Sequence, residues 1–282
     1  MTRSEAAAQE SAVARARPAG LTRPWLALVG WLVLLHIILY LRLPWFISPT
    51  LQSYLVQPLL WLATAALAFW LWRRRGAGSL LPASRWVLPL CALAGALQVA
   101  FYVLTGMMRG FGATPYGRTP ALIALNLWFG AARLLGVELA RWYLVAGLAR
   151  RRAWPGLVAG FLLPWLFQVG LWAFEGIGSA QAALSLACRS LLPAATENLL
   201  AMYLALWGGP LASLVYRGVL ALFAFLSPGL PKLSTLTAAL LGIGAPLVGW
   251  LLISGLEPYL AAKGSARHPE PGARAGEQAG GV

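Results

Sequence analysis

The stretch Ala121-Leu-Ile-Ala-Leu-Asn126-Leu-Trp-Phe-Gly-Ala-Ala-Arg133-Leu-Leu-Gly-Val-Glu138-Leu-Ala-Arg141-Trp-Tyr-Leu144 decides how this chain must be read. It is long enough to cross a hydrocarbon core, which takes ~17–25 predominantly apolar residues in a helix. Yet it carries Asn126 and three charges. A charged side chain at membrane depth costs about 2.5–3.5 kcal/mol on insertion scales, so each needs a partner or a purpose.

The same apolar character extends outward over most of the 282 residues, with 60% hydrophobic and only 11% charged. Soluble domains hold ~45–50% apolar and ~25% charged residues, so a soluble fold is excluded. The apolar residues come in runs rather than in alternation, which argues against a β-barrel. The class is all-α, a polytopic membrane helix bundle of about eight transmembrane helices. Spans are expected near 25–41, 53–72, 86–105, 121–148, 155–174, 182–207, 210–226 and 235–256. The first is followed by Leu43-Pro44-Trp45-Phe46 rather than by a small-residue cleavage site. It reads as a retained helix and not as a signal peptide.

Charge gives the orientation. The net charge is +14, twenty of the 22 basic residues are Arg, and all eight acids are Glu. In a soluble chain such a balance points to nucleic acid; here no aromatic–basic motif accompanies it, and no nucleic-acid partner is expected. Placing the N-terminus in the cytoplasm puts fourteen basic residues inside, among them Arg73-Arg74-Arg75 and Arg150-Arg151-Arg152, against four outside. The positive-inside rule then favours N-in/C-in. The expected organisation is a disordered cytoplasmic tail over 1–22, a transmembrane helical domain over 23–258 and a disordered cytoplasmic tail over 259–282. The lipid bilayer is the first partner, and the expected location is the inner (plasma) membrane, multi-pass. The segment Gly106–Pro120 is rich in Gly and Pro and reads as a turn-rich loop rather than a strand.

Cys91 and Cys188 fall in separate apolar segments, and His36 and His268 lie far apart. No disulfide framework, metal site or cofactor follows from that spacing.

Three groups of residues could carry chemistry. Glu138 and Arg141 share a helix face and can pair. They form either a packing lock or a general base with its support, whereas Arg133 is displaced by about 140° from Glu138 and is expected to meet another helix or to snorkel. Glu197 and Asn198 follow Pro193, where the helix is expected to kink or begin anew, with Thr196 and Arg189 nearby. Glu175 reads as an exposed span end. Gly208-Gly209-Pro210 makes a tight turn before a helix, and Gly209, Ser213 and Gly218 permit close approach. Ser213 has no identifiable base and is not a credible nucleophile.

Two family resemblances attach to these residues. The runs Gly106–Pro120, Gly136-Val-Glu-Leu-Ala-Arg-Trp-Tyr-Leu-Val145, Glu197 to Leu220 and Leu226-Ser-Pro-Gly-Leu-Pro-Lys-Leu233 resemble the multi-helix membrane region ahead of the catalytic domain in some type I signal-peptidase-like proteins. In that family a further span and an extracytoplasmic domain with a Ser–Lys or Ser–His pair follow. This sequence holds no Ser-x-Ser-Met segment, and its lysines are Lys232 and Lys263. The resemblance therefore implies a non-catalytic scaffold, or a partner of a separately encoded peptidase or of a membrane-protein substrate. Glu138-x-x-Arg141 is similar to the glutamate motif of CAAX-processing and bacteriocin-processing (CPBP) intramembrane proteases, in which Glu activates water without a metal. It departs from that motif in having Val137 where the other Glu of the pair would be and Arg at three residues instead of four. Later helices supply Gln168 and Asn198 but no His. That similarity implies either a glutamate endopeptidase using Glu138, with Arg141, Glu197 and Asn198 in support, or a degenerate relative. A transporter or lipid-binding protein is the third class compatible with buried charges.

Overall fold

The computed structural model describes residues 23–40, 48–75, 80–82, 84–146 and 154–265, excepting the side chains of Arg75 and of 257–265. Eight long helices carry most of these residues: α1 (Arg23–Tyr40), α2 (Gln57–Arg75), α3 (Val87–Arg109), α4 (Pro120–Ala146), α5 (Trp154–Val169), α6 (Leu192–Gly208), α7 (Pro210–Leu226) and α8 (Thr235–Ser265). Five helical stretches are long and apolar enough to cross a membrane, namely Arg23–Tyr40, Pro49–Arg74, Val87–Arg109, Pro120–Ala146 and Thr235–Leu256. The protein is therefore an all-α bundle with several candidate membrane-crossing helices. The expected tail at 1–22 and the residues from 266 onward lie outside the described residues, as do Arg150, Arg151 and Arg152; the backbone of 259–265 continues α8.

Local chemistry accounts for the helix ends. Ser48 caps a short helical segment, Pro49–Leu51, by accepting from the Leu51 N–H with Pro49 in the first turn, and a wide turn over Gln52–Val56 leads into α2. A second wide turn, Ala187–Leu191, joins the short helix Ala180–Leu186 to α6. It falls just before Pro193, whose missing N–H disrupts the regular ladder at that level. Thr196 Oγ1 then donates to one of several acceptors in reach: Leu192 O and Pro193 O at 3.1 Å and Gly242 O of α8 at 2.7 Å. At Gly209 the backbone adopts φ +75°, which glycine tolerates without strain, so α6 stops and α7 starts at Pro210 within one residue.

Two findings differ from the sequence expectations. α5 ends at Val169 rather than near 174, because Gly170 turns to φ +77° and a single 3₁₀ turn, Leu171–Phe174, follows. The loop expected to lack a strand contains β1 (Phe111–Ala113), paired antiparallel with β2 (Gly229–Pro231) in the register Phe111↔Pro231. The partner lies more than a hundred residues away, so local turn composition carried no sign of it. Close approach is what the glycines permit: a Cβ on Gly229 would sit 2.8 Å from Gly112 O.

The buried side chains form two apolar clusters. One joins α1, α2, α4 and α5 through Leu28, Leu35, Trp61, Ala132, Leu144 and Phe167. The other joins α3, α6, α7 and α8 through Cys91, Ala94, Leu204, Ala212, Tyr216 and Ile253. Trp25 Nε1 donates to Leu144 O at 3.1 Å, and the Trp72 and Trp142 rings lie 5.9 Å apart, so the ends of α2 and α4 meet the start of α1. The β1–β2 pair marks the opposite end of the bundle.

Within the second cluster the Tyr216 hydroxyl donates to Gln98 Oε1 at 2.6 Å, both residues being buried. Interhelical hydrogen bonds in membranes couple by about 0.6 kcal/mol on average and up to about 1.7. A double-mutant cycle of Gln98→Leu and Tyr216→Phe, read by reversible unfolding in mixed micelles, is expected to return a coupling toward the upper part of that range. Additive effects would mean the bond contributes nothing.

Candidate functional site

Glu138 and Arg141 lie one turn apart on α4, and both are 0% exposed. Arg141 Nε donates to Glu138 Oε2 at 3.0 Å and Nη2 to Oε1 at 3.2 Å, a two-pronged ion pair. The same guanidinium reaches two further helices. Its Nη1 meets Gly160 O of α5 at 3.4 Å and Asn198 O of α6 at 3.1 Å, and its Nη2 meets Asn198 Oδ1 at 2.6 Å. Gly160 allows this approach, since a Cβ there would fall 2.6 Å from Val145 Cγ1.

Arg217 of α7 completes the group from the other side. Its Nη1 lies 3.3 Å from Glu138 Oε1 and 3.4 Å from Asn198 Oδ1. Its Nη2 lies 2.9 Å from Gln168 Oε1 and 3.1 Å from Glu197 Oε1. The Asn198 amide donates to Gln168 Oε1 at 2.5 Å and to Ala194 O at 2.7 Å. Six side chains from α4, α5, α6 and α7 thus form one connected network, with two carboxylates matched by two guanidiniums. Glu138 lies eight residues from the end of α4, about 12 Å along the axis, and Arg217 seven residues into α7, about 10 Å. Both sit at one level, on the seam between the two apolar clusters.

A general base needs an oxygen within reach of the proton it takes. Both oxygens of Glu138 are occupied by guanidinium N–H groups. The cavities beside the network, of about 340 Å³ and about 270 Å³, have Gln168 and Arg133 in their shared wall, and Glu138 lines neither. Glu197 differs: it is 18% exposed and lines the larger cavity together with Arg217.

The four residues singled out from sequence, Glu138, Arg141, Glu197 and Asn198, are brought together by the fold. The other polar groups disperse. Thr196 turns toward α8, and Arg189 Nε donates to Thr235 Oγ1 at 3.1 Å. Glu175 is exposed and accepts from the Tyr40 hydroxyl at 2.9 Å. Ser213 does not disperse: it is buried, with Pro210 O at 3.1 Å, and its side chain is also hydrogen-bonded to Glu138. A Cβ on Gly218 would meet only Leu134, at 3.8 Å, so no close approach occurs there. Arg133 does reach another helix, its Nη2 meeting Phe167 O of α5 at 2.5 Å.

Sequence reasoning missed the part taken by Arg217, and did not show that His36 Nε2 would be buried without a hydrogen-bond partner among the described residues. The rule that made Glu138 noticeable applies equally to Arg217, a charge inside an apolar helix. For His36 the only sign was a polar ring in the first apolar run. Among the described residues no group of three His, Cys, Asp or Glu side chains is placed to hold a metal ion. Compared with known proteins, the chain matches no family model, no curated protein and no solved structure.

Proposed function

We propose that this integral membrane protein is a non-catalytic multi-helix module, oriented N-in/C-in, that serves as scaffold or partner in membrane-protein processing. The observation that supports it is the closure of Glu138, whose two oxygens are bonded by Arg141 and Arg217 at 0% exposure. Such a carboxylate holds helices together instead of handling a water molecule. The processing role rests on the phrase-level resemblance to the membrane region of signal-peptidase-like proteins, and the orientation on the excess of Arg on one side. Its partner would be a separately encoded peptidase or a membrane-protein substrate.

A second reading is a CPBP-like glutamate intramembrane endopeptidase, favoured by one observation. Glu197 keeps 18% exposure on a cavity it shares with Arg217 and Gln168, so that reading would make Glu197 the water-facing carboxylate with Glu138 behind it. One experiment separates the two. The purified protein is reconstituted with transmembrane peptides and compared with Glu138→Gln and Glu197→Gln. The scaffold reading expects no cleavage by any of the three, and cross-linking to a peptidase in native membranes. Cleavage by the wild type that disappears in a folded Glu197→Gln or Glu138→Gln protein would replace it with the protease reading.

A further inference from the structure

Arg133 is the charge the network leaves over. The ion pairs among the described residues are Arg141–Glu138, Arg217–Glu138 and Arg217–Glu197, which use both carboxylates of the network. Arg133 lies on the same helix, thirteen residues from either end of the 27-residue α4, and therefore at its midpoint. The bond to the Phe167 carbonyl is a contact with a neutral acceptor through one of five N–H donors. A guanidinium at that depth is expected to meet an anion, a polar cavity or both.

The surroundings fit that need. Arg133 stands in the wall between the two cavities of about 270 Å³ and about 340 Å³. The smaller one also has His36, Gln57 and Gln168 in its lining. His36 Nε2 is buried with no hydrogen-bond partner among the described residues, and its ring packs edge-on against Phe167 at 4.8 Å between centroids. Two independent features of one cavity thus await a polar group: a guanidinium with no ion pair, Glu197 being taken by Arg217, and an imidazole nitrogen without a partner among the described residues. Much of the remaining wall is apolar, formed by residues such as Trp61, Phe129 and Trp172.

We propose that this cavity binds an acidic amphiphile, a molecule with one anionic oxygen group carried on an apolar chain. Arg133 pairs with the anionic oxygens, His36 and Gln57 supply further polar contacts, and the aromatic wall takes the start of the chain. A lipid phosphodiester and a fatty-acid carboxylate share this chemistry, and inorganic phosphate shares the anion without the chain. In the larger cavity Glu197 already pairs with Arg217 at 3.1 Å, whereas the smaller one adds His36 and Gln57 beside Arg133 and has no carboxylate in its wall, so the smaller cavity is preferred.

The test uses the full chain purified in a neutral detergent, with phosphatidylglycerol, oleate, inorganic phosphate and neutral phosphatidylcholine added separately. Native mass spectrometry and thermal unfolding report binding. Phosphatidylglycerol or oleate is expected to bind one-to-one and to raise Tm, whereas phosphatidylcholine does neither. Arg133→Gln should weaken that binding about tenfold or more, the loss of one charge-assisted contact. His36→Phe should weaken it by a smaller factor, and Arg133→Lys should retain part of it. If Arg133→Gln does not fold, His36→Phe and Arg133→Lys still rank the contacts. Equal affinity in all variants, or saturation by none of the ligands, overturns the site. Stabilisation by inorganic phosphate as strong as by the amphiphiles overturns the assignment of an apolar chain.

Discussion

Replacing Arg141 by methionine is expected to lower the stability of the bundle by about 3–5 kcal/mol, the range seen when one partner of a buried ion pair is removed. The guanidinium is wholly buried and spends its donors on Glu138, Gly160 O, Asn198 O and Asn198 Oδ1. Methionine fills part of the volume but leaves Glu138 with Arg217, at 3.3 Å, as its one cation and Ser213 as its other partner. It also leaves the Asn198 side-chain oxygen with a single long contact to Arg217, at 3.4 Å. Unfolding in mixed micelles should show the loss directly. Arg141→Met combined with Glu138→Leu should recover a large part of it, because replacing both members of a buried pair by apolar groups can be nearly neutral. A single-variant loss below about 1 kcal/mol would mean that the network is not what holds α4 against α5 and α6.

Gly136→Val is expected to rank next and to act by a wholly different route. Gly136 is buried where α4 crosses α2, and a Cβ on it would lie 2.6 Å from Trp61 O and 2.9 Å from Trp61 Cε3. The first obstacle is backbone, which cannot rotate away, and the second is an indole packed in the core with 1% exposure. Overpacking of this kind costs about 1–3 kcal/mol or more, and here it forces apart two helices whose association depends on close packing. Gly30→Val is the control: a Cβ there meets nothing within 4 Å, so thermal unfolding should be little changed. Equal Tm values for the two variants would show that α2 and α4 do not need this approach.

The membrane class and the level of the charged site could be read from sequence because both rest on hydropathy and on the cost of charge at depth. Glu138 and Arg141 were visible as a pair because three residues of helix put them on one face. The arrival of Arg217 and Gln168 was not visible, since nothing along the chain says which face of α7 turns toward α4. The β1–β2 pairing escaped for a related reason. Three-residue strands of Phe-Gly-Ala and Gly-Leu-Pro carry almost no propensity, and their pairing is imposed by where α3 and α7 end. The closed state of Glu138 belongs to the same class of fact: periodicity shows that a carboxylate is buried, but only packing shows which donors occupy it.

The interleaving of the two apolar clusters has a consequence for how the chain is made. α3 packs with α6, α7 and α8, yet it is synthesised before α4 and α5, which belong to the other cluster. Gln98 of α3 therefore enters the membrane 118 residues ahead of Tyr216, its hydrogen-bond partner. At translation speeds of ~5–20 residues per second, that is roughly 6–24 s during which the Gln98 amide has Tyr102 of its own helix but not Tyr216. During that interval α1, α2, α4 and α5 can assemble among themselves, whereas α3 must be held by lipid, by the insertion machinery or by provisional contacts. Slowing synthesis between α5 and α6 should thus expose α3 to quality-control proteases more than α1, α2 or α5, while α4 still lacks Asn198 and Arg217.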